Sequence, residues 1–199
     1  MQFPGDEDDR RKRLLEKIAE AARAGIDLVQ LREKDMGARE LEVLAREAVI
    51  GVREFGHWAR LLITSRTDVA LATGASGVHL RSNDISAADV RKTWREGNGA
   101  GQPLISKSCH STADVFACEA GGADFAVFAP VFGKGGQTQK AAGLDALREA
   151  CRHGVPVLAL GGVTVENARL CTKAGAAGVA GIRLFQNGDI RETVAKLKG

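Results

Sequence analysis

An amide and two cations, Gln30, Arg32 and Lys34, stand at every second position after the apolar stretch that begins at Ile26. On extended backbone they share one face with Ile26 and Leu28. Three such groups converging on one spot suit a phosphate or diphosphate, because the guanidinium offers a planar fork and the ammonium a point charge. A surface ion-pair cluster with Glu33 and Asp35 would satisfy the same spacing. Asp84 closes the run His79-Leu80-Arg81-Ser82-Asn83. A lone carboxylate at a strand end can hold Mg2+ together with phosphate oxygens, or it can serve the start of a helix near Ser86. Ser108 precedes Cys109 and His110. A Cys-His nucleophilic pair needs side chains that meet, whereas neighbours on extended chain point apart and no orienting acid is evident. His110, like His79, reads as a hydrogen-bonded structural residue.

The longest polar, glycine-rich stretch is Gly133-Lys134-Gly135-Gly136-Gln137-Thr138-Gln139-Lys140. Its two lysines could close over an anionic substrate; a plain linker is the alternative. Gly161-Gly162 and Ile182-Arg183 each follow an apolar run. Backbone N–H groups at a helix start bind anions, and α/β barrels place phosphate sites in the loops after their last strands.

These residues must be held by an alternation of helices and strands. Leu14, Leu15, Ile18, Ala21 and Ala22 form one helical stripe, and Leu41, Leu44, Ala45, Ala48, Val49 and Val52 form another. Strands are expected at Ile26–Leu31, Arg60–Thr64, Gly77–Leu80, Pro103–Ser108, Phe125–Phe128, Val155–Leu160 and Gly178–Ile182. Helices are expected from Ser86, Ser111 and Thr164, each of which can cap its helix. Glycine after each helix, as at Ala24-Gly25 or Ala174-Gly175, turns the chain back toward the next strand. Strands this apolar belong to a parallel sheet covered by helices. Seven are readable, each followed by a helix, and polar motifs end every one. That pattern favours a (β/α)8 TIM-type barrel apparently lacking its first strand over an open doubly wound sheet, which needs such motifs mainly at its switch point. The charged stretch Met1–Arg13 cannot supply the missing strand. The bare edges should then be covered by the N-terminal segment or by a partner chain, so a homo-oligomer is allowed for.

Composition narrows the function classes. The 199 residues suit one domain, 1–199, and 28 Lys and Arg against 25 Asp and Glu leave too slight a basic excess for a nucleic-acid partner. Four cysteines show no metal-site spacing, and the longest apolar run is far too short for a membrane span. No membrane association and a cytoplasmic location are expected.

Gly25-Ile26-Asp27-Leu28-Val29-Gln30-Leu31-Arg32-Glu33-Lys34, Gly77-Val78-His79-Leu80, Ser108-Cys109-His110-Ser111, Ala129-Pro130-Val131-Phe132 and Leu160-Gly161-Gly162-Val163 occur in the order found in the thiamine phosphate synthase family, which the chain resembles from about Leu14 to Phe185. The resemblance implies a (β/α)8 barrel that, with Mg2+, joins a hydroxymethylpyrimidine diphosphate to a thiazole phosphate and releases pyrophosphate. It assigns Gln30, Arg32 and Lys34 to the pyrimidine diphosphate, Asp84 to Mg2+, Ser108 to the diphosphate, and Gly161, Gly162, Ile182 and Arg183 to the thiazole phosphate. Lys134 or Lys140 would supply the family's loop lysine. Arg32, Lys34, Ser108 and Lys140 are thereby expected to carry catalysis.

The chain departs from the family in four places. The Asn-Asp pair that synthases use to contact pyrimidine and Mg2+ is Thr64-Ser65, which implies a weakened metal site. Arg183 stands where serine is usual, and the first family strand is missing. The family's thiazole tautomerases carry a histidine where this chain has Pro130. The alternatives to synthase chemistry are tautomerase-like activity and non-catalytic binding of a phosphorylated ligand.

Overall fold

The computed structural model describes residues 6–55, 58–133, 141–186 and 188–199. Among them, seven strands form one parallel sheet in chain order: β1 (Leu28–Leu31), β2 (Arg60–Thr64), β3 (Gly77–Leu80), β4 (Leu104–Cys109), β5 (Phe125–Phe128), β6 (Val157–Leu160) and β7 (Gly178–Ala180). The helices are α1 (Glu7–Arg23), α2 (Ala38–Phe55), α3 (Thr67–Thr73), α4 (Ala87–Glu96), α5 (Thr112–Ala120), α6 (Gly143–Ala150), α7 (Val165–Lys173), α8 (Arg183–Gln186) and α9 (Ile190–Lys198). Sequential parallel order with a helix after each strand is the barrel topology. The sheet is a curled half-barrel with β1 and β7 at its edges, and among the described residues no strand precedes β1. Outside the sheet, α1 packs on α9 and on α2. The Ile190 N–H donates to Glu20 Oε1 (3.3 Å), and Lys198 Nζ donates to the Gly25 carbonyl (2.7 Å). The helical layer is thus continuous across the place where the sheet is open.

Strand alternation divides the sheet's residues between two faces. Leu31, Leu61, Ile63, Val78, Leu80 and Ile105 pack in one apolar cluster with α2, α3 and α4, whose stripe Leu41, Leu44, Ala45, Ala48, Val49 and Val52 is buried throughout. Cys109, Ala126, Phe128, Val157 and Ala159 form the second cluster with residues of α5, α6 and α7. The intervening residues, Gln30, Leu62, Thr64, His79, Ser106, Ser108, Val127 and Leu158, therefore line the concave face. Register aligns them: Gln30 is paired with Leu62, Thr64 with His79, His79 with Ser106, and Ser108 with Val127. The polar members thus gather on β1 to β4, near the C-terminal ends of the strands.

Local signals start the helices that follow. Ser86, Ser111 and Thr164 each accept from the N–H three residues on, and each sits in a reciprocal capping box. Four strands differ in their limits from the sequence expectation: β4 runs Leu104–Cys109, β6 begins at Val157, and the changes in β1 and β7 bear on the site. The first strand begins at Leu28 and ends at Leu31, so Arg32 and Lys34 lie in the β1–α2 loop. The last strand stops at Ala180, and Arg183 opens the short helix α8 instead of ending a strand.

Candidate functional site

Two hydrogen bonds tie β1 to β2 at the mouth. Gln30 Nε2 donates to Thr64 Oγ1 (2.9 Å), and Thr64 Oγ1 donates to the Leu31 carbonyl (3.0 Å). An amide and a hydroxyl on adjacent strands thus present one polar edge. Arg32 and Lys34 follow in the loop above it, both exposed. Because extended backbone stops at Leu31, strand alternation fixes the direction of Gln30 but not that of the two cations.

Deeper on the same face, His79 is buried between two serines of β4. Its Nδ1 lies 2.8 Å from Ser106 Oγ and its Nε2 2.8 Å from Ser108 Oγ. A neutral imidazole has one donor and one acceptor nitrogen, and a serine hydroxyl can play either role, so both bonds form without a charge. Burial, reinforced by the Arg32 charge and opposed by Asp84, lowers the His79 pKa from 6.5 to about 4. Arg32 and Asp84 therefore both act on one ring. His79 is the hydrogen-bonded residue expected from the sequence, and it also holds Ser108; the Ser-x-Ser spacing at 106 and 108, opposite a histidine on the next strand, is the sequence signal for that second role.

This geometry predicts a pH effect on stability. The unfolded chain takes up a proton at His79 near pH 6.5, while the folded chain resists it until about pH 4. Stability present above pH 6.5 is lost as pH falls through that window, by about 2–3 kcal/mol at pH ~4.5. Urea unfolding at pH ~7.5 and ~4.5 should show wild type losing about that much more than His79→Gln. Equal losses in the two proteins would contradict the buried neutral histidine.

A third cluster joins the β2–α3 and β3–α4 loops. Ser65 adopts a left-handed backbone conformation (φ 60°) with its N–H on the His79 carbonyl (2.9 Å). Non-glycine residues in this region are strained and concentrate at functional sites. Its hydroxyl donates to Asp84 Oδ2 in a short contact, and the Arg81 N–H donates to the same oxygen (2.7 Å). The Arg81 guanidinium reaches Asp84 Oδ1 (Nη2 3.1 Å, Nε 3.2 Å) and, through Nε, Ser65 Oγ (3.0 Å). Burial alone would raise the Asp84 pKa, but the bonds from Ser65 and Arg81 outweigh it and hold the carboxyl below its usual range. Asp84 is thus ionised at neutral pH. Arg81 was not among the residues singled out by the sequence reading, because nothing in the chain announces that these two loops meet.

Across the sheet, Gly161 and Gly162 form a tight turn between β6 and α7. Both have positive φ, and a Cβ would come within 2.7 Å of Pro130 at Gly161 and within 2.7 Å of Phe132 at Gly162. Only glycine lets the β5 and β6 loops approach this closely. Asn167 Nδ2 donates to the Gly162 carbonyl (3.0 Å), fixing the turn to the start of α7. Ile182 is exposed, and so is Arg183 in the first turn of α8. Lys134 and Lys140 lie outside the described residues.

Cys109 supplies no nucleophile. Its thiol is fully buried and donates to the Lys107 carbonyl (3.7 Å), and contact with Cys118, then burial, pushes its pKa up. His110 Nδ1 bonds the Ala129 carbonyl (2.8 Å), in the structural role read from the sequence.

Among the described residues no three His, Cys, Asp or Glu side chains gather into a metal-binding group. Mg2+ prefers about six oxygens, keeps several waters, and commonly binds through one or two carboxylates plus substrate phosphates. Asp84 fits that second mode as a single carboxylate at the mouth, provided the guanidinium frees Oδ1.

The profile of the thiamine monophosphate synthase family matches residues 4–185. A relative from Geobacter sulfurreducens is 41% identical over 170 residues, spanning 84% of this chain and 76% of its own. The thiamine-phosphate synthase of Chlorobium luteolum is 34% identical over 185 residues, spanning 92% of this chain and 84% of its own. Among solved structures, thiamine phosphate pyrophosphorylase from Pyrococcus furiosus superposes with a TM-score of 0.80 at 28% identity, covering 96% of this chain and 90% of that one.

Proposed function

The chain belongs to the thiamine monophosphate synthase family, and from that premise we propose that it is a thiamine-phosphate synthase, a transferase of thiamine biosynthesis. It joins a hydroxymethylpyrimidine diphosphate to a thiazole phosphate and releases pyrophosphate. The observation that carries this reading is the polar mouth on β1 to β4, where Gln30, Thr64, His79, Ser108 and Asp84 converge beside Arg32. The two phosphorylated small molecules are its partners.

The reaction breaks the bond between the pyrimidine methylene carbon and the diphosphate oxygen, and the electron pair leaves with the diphosphate. The thiazole nitrogen supplies the pair for the new C–N bond. Charge separates in this step, so the protein's contribution is to stabilise the departing anion and to position the acceptor. Gln30 and Thr64 orient the pyrimidine. Arg32 and Lys34 meet the diphosphate with a fork and a point charge. Ser108 donates to a diphosphate oxygen, its hydroxyl aimed by His79. A lysine of the glycine-rich loop, Lys134 or Lys140, adds a further cation. Mg2+ arriving with the diphosphate would be held by Asp84 and would neutralise the leaving group. No covalent nucleophile is required.

Gly161, Gly162, Ile182 and Arg183 form the thiazole phosphate site, where the tight turn brings backbone N–H groups at the start of α7 toward the anion. Arg183→Ser should weaken binding of thiazole phosphate by about 1–3 kcal/mol, the range for hydrogen bonds to charged groups. Calorimetry on the two proteins checks this, and equal affinities would remove Arg183 from the site.

Pro130 offers no acid or base at the position where tautomerases carry histidine, which disfavours tautomerase chemistry. We read residues 1–199 as one catalytic domain acting in the cytoplasm. Expression in a thiamine auxotroph lacking its synthase tests the proposal: growth without thiamine supports it, and failure of a well-expressed protein to restore growth counts against it.

A further inference from the structure

The Arg81 guanidinium is the cation that occupies the carboxylate of Asp84, and the two partners are unequally held. The Asp84 side chain is 11% exposed and the Arg81 side chain 53%. Asp84 would keep the Ser65 hydroxyl and the Arg81 backbone N–H on Oδ2 if the guanidinium left. On the carboxylate the departure would free Oδ1 alone, and Ser65 Oγ would lose its bond from Nε. The guanidinium is therefore the movable half of the pair, and it sits in the first loop position after β3, at the open end of the sheet.

We infer that Arg81 is a diphosphate-binding residue of this chain, resting on Asp84 and Ser65 in this structure and turning onto the diphosphate oxygens when that substrate enters. The inference rests on the synthase reading and names a contact it does not include. Its physical basis is a contest of charges. An ion pair whose guanidinium is half exposed and meets one carboxylate is modest, whereas a diphosphate offers several anionic oxygens in the geometry a guanidinium fork matches. Ser65 offers the guanidinium a neutral hydrogen bond and no second negative charge, so one carboxylate is all the anionic charge in its contacts here. The same movement opens Oδ1, the oxygen a diphosphate-borne cation would need. Arg81 thus supplies positive charge at a site with a single carboxylate.

Inorganic pyrophosphate is the probe, titrated calorimetrically into wild type, Arg81→Ala and Arg81→Lys, once in EDTA and once in excess Mg2+. In EDTA, Arg81→Ala should bind about tenfold more weakly than wild type, with Arg81→Lys between them. In Mg2+ the gap should close to within about twofold, because removing the guanidinium also frees Asp84. Equal affinities in EDTA would overturn the inference. So would an equal loss in both media, which marks a general structural defect. If wild type binds pyrophosphate in neither medium, the synthase reading falls with it; if wild type binds and only the Arg81 contrast is missing, the synthase reading stands alone.

Discussion

Asp84→Ala is expected to slow formation of thiamine phosphate by at least about a hundredfold. Asp84 is the only acid read here as a metal position, and it also organises its surroundings. Ser65, the Arg81 N–H and the Arg81 guanidinium all bond to it. Removing it leaves the strained Ser65 hydroxyl without its acceptor and the Arg81 guanidinium without its counter-charge. The assay is product formation from the two phosphorylated halves, titrated with Mg2+. The variant should stay slow at every Mg2+ concentration, while Ser65→Asp, which adds a second carboxylate, should reach half its maximal rate at lower Mg2+ than wild type. An Asp84→Ala protein as fast as wild type would remove this carboxylate from the reaction.

Arg32→Ala should lower kcat/KM for the pyrimidine diphosphate by about a hundredfold while leaving the KM for thiazole phosphate nearly unchanged. The asymmetry follows from the layout. Arg32 follows β1 beside the Gln30–Thr64 edge, whereas the Gly161-Gly162 turn lies across the sheet between β6 and α7. A second readout comes from His79, whose pKa the Arg32 charge helps to depress. In Arg32→Ala, NMR titration should find the His79 pKa moved up from about 4 toward 6.5. An unmoved His79 would place the guanidinium away from the mouth, and a parallel rise in KM for thiazole phosphate would point to a global disturbance.

Much of the architecture could be read from apolar spacing and caps. The six-residue stripe from Leu41 to Val52 is the buried face of α2, and the caps at Ser86, Ser111 and Thr164 start α4, α5 and α7 as their spacing demands. The charge of the N-terminal stretch also argues against a buried strand there, and its residues from Glu7 onward belong to α1. What escaped the sequence lies where contacts depend on loops meeting in space. Arg81 and Ser65 are 16 residues apart and meet only because β2 and β3 are neighbours. Ser65 carries no local signal for a left-handed backbone. The even alternation of Gln30, Arg32 and Lys34 suggested one continuous face, yet pairing with β2 ends at Leu31 and releases the two cations into a loop. Short α8 was missed because four residues are too few for a periodic pattern, and Arg183 consequently opens a helix instead of closing a strand.

The most direct measurement incubates the purified protein with hydroxymethylpyrimidine diphosphate, thiazole phosphate and Mg2+, and follows thiamine phosphate and pyrophosphate together. Both products should appear in equal amounts, neither should form when either half is withheld, and Ser65→Asp should form them at lower Mg2+. If wild type and Ser65→Asp both stay inert while thiazole phosphate still binds, the synthase assignment is contradicted and the chain is a phosphate-ligand-binding member of its family.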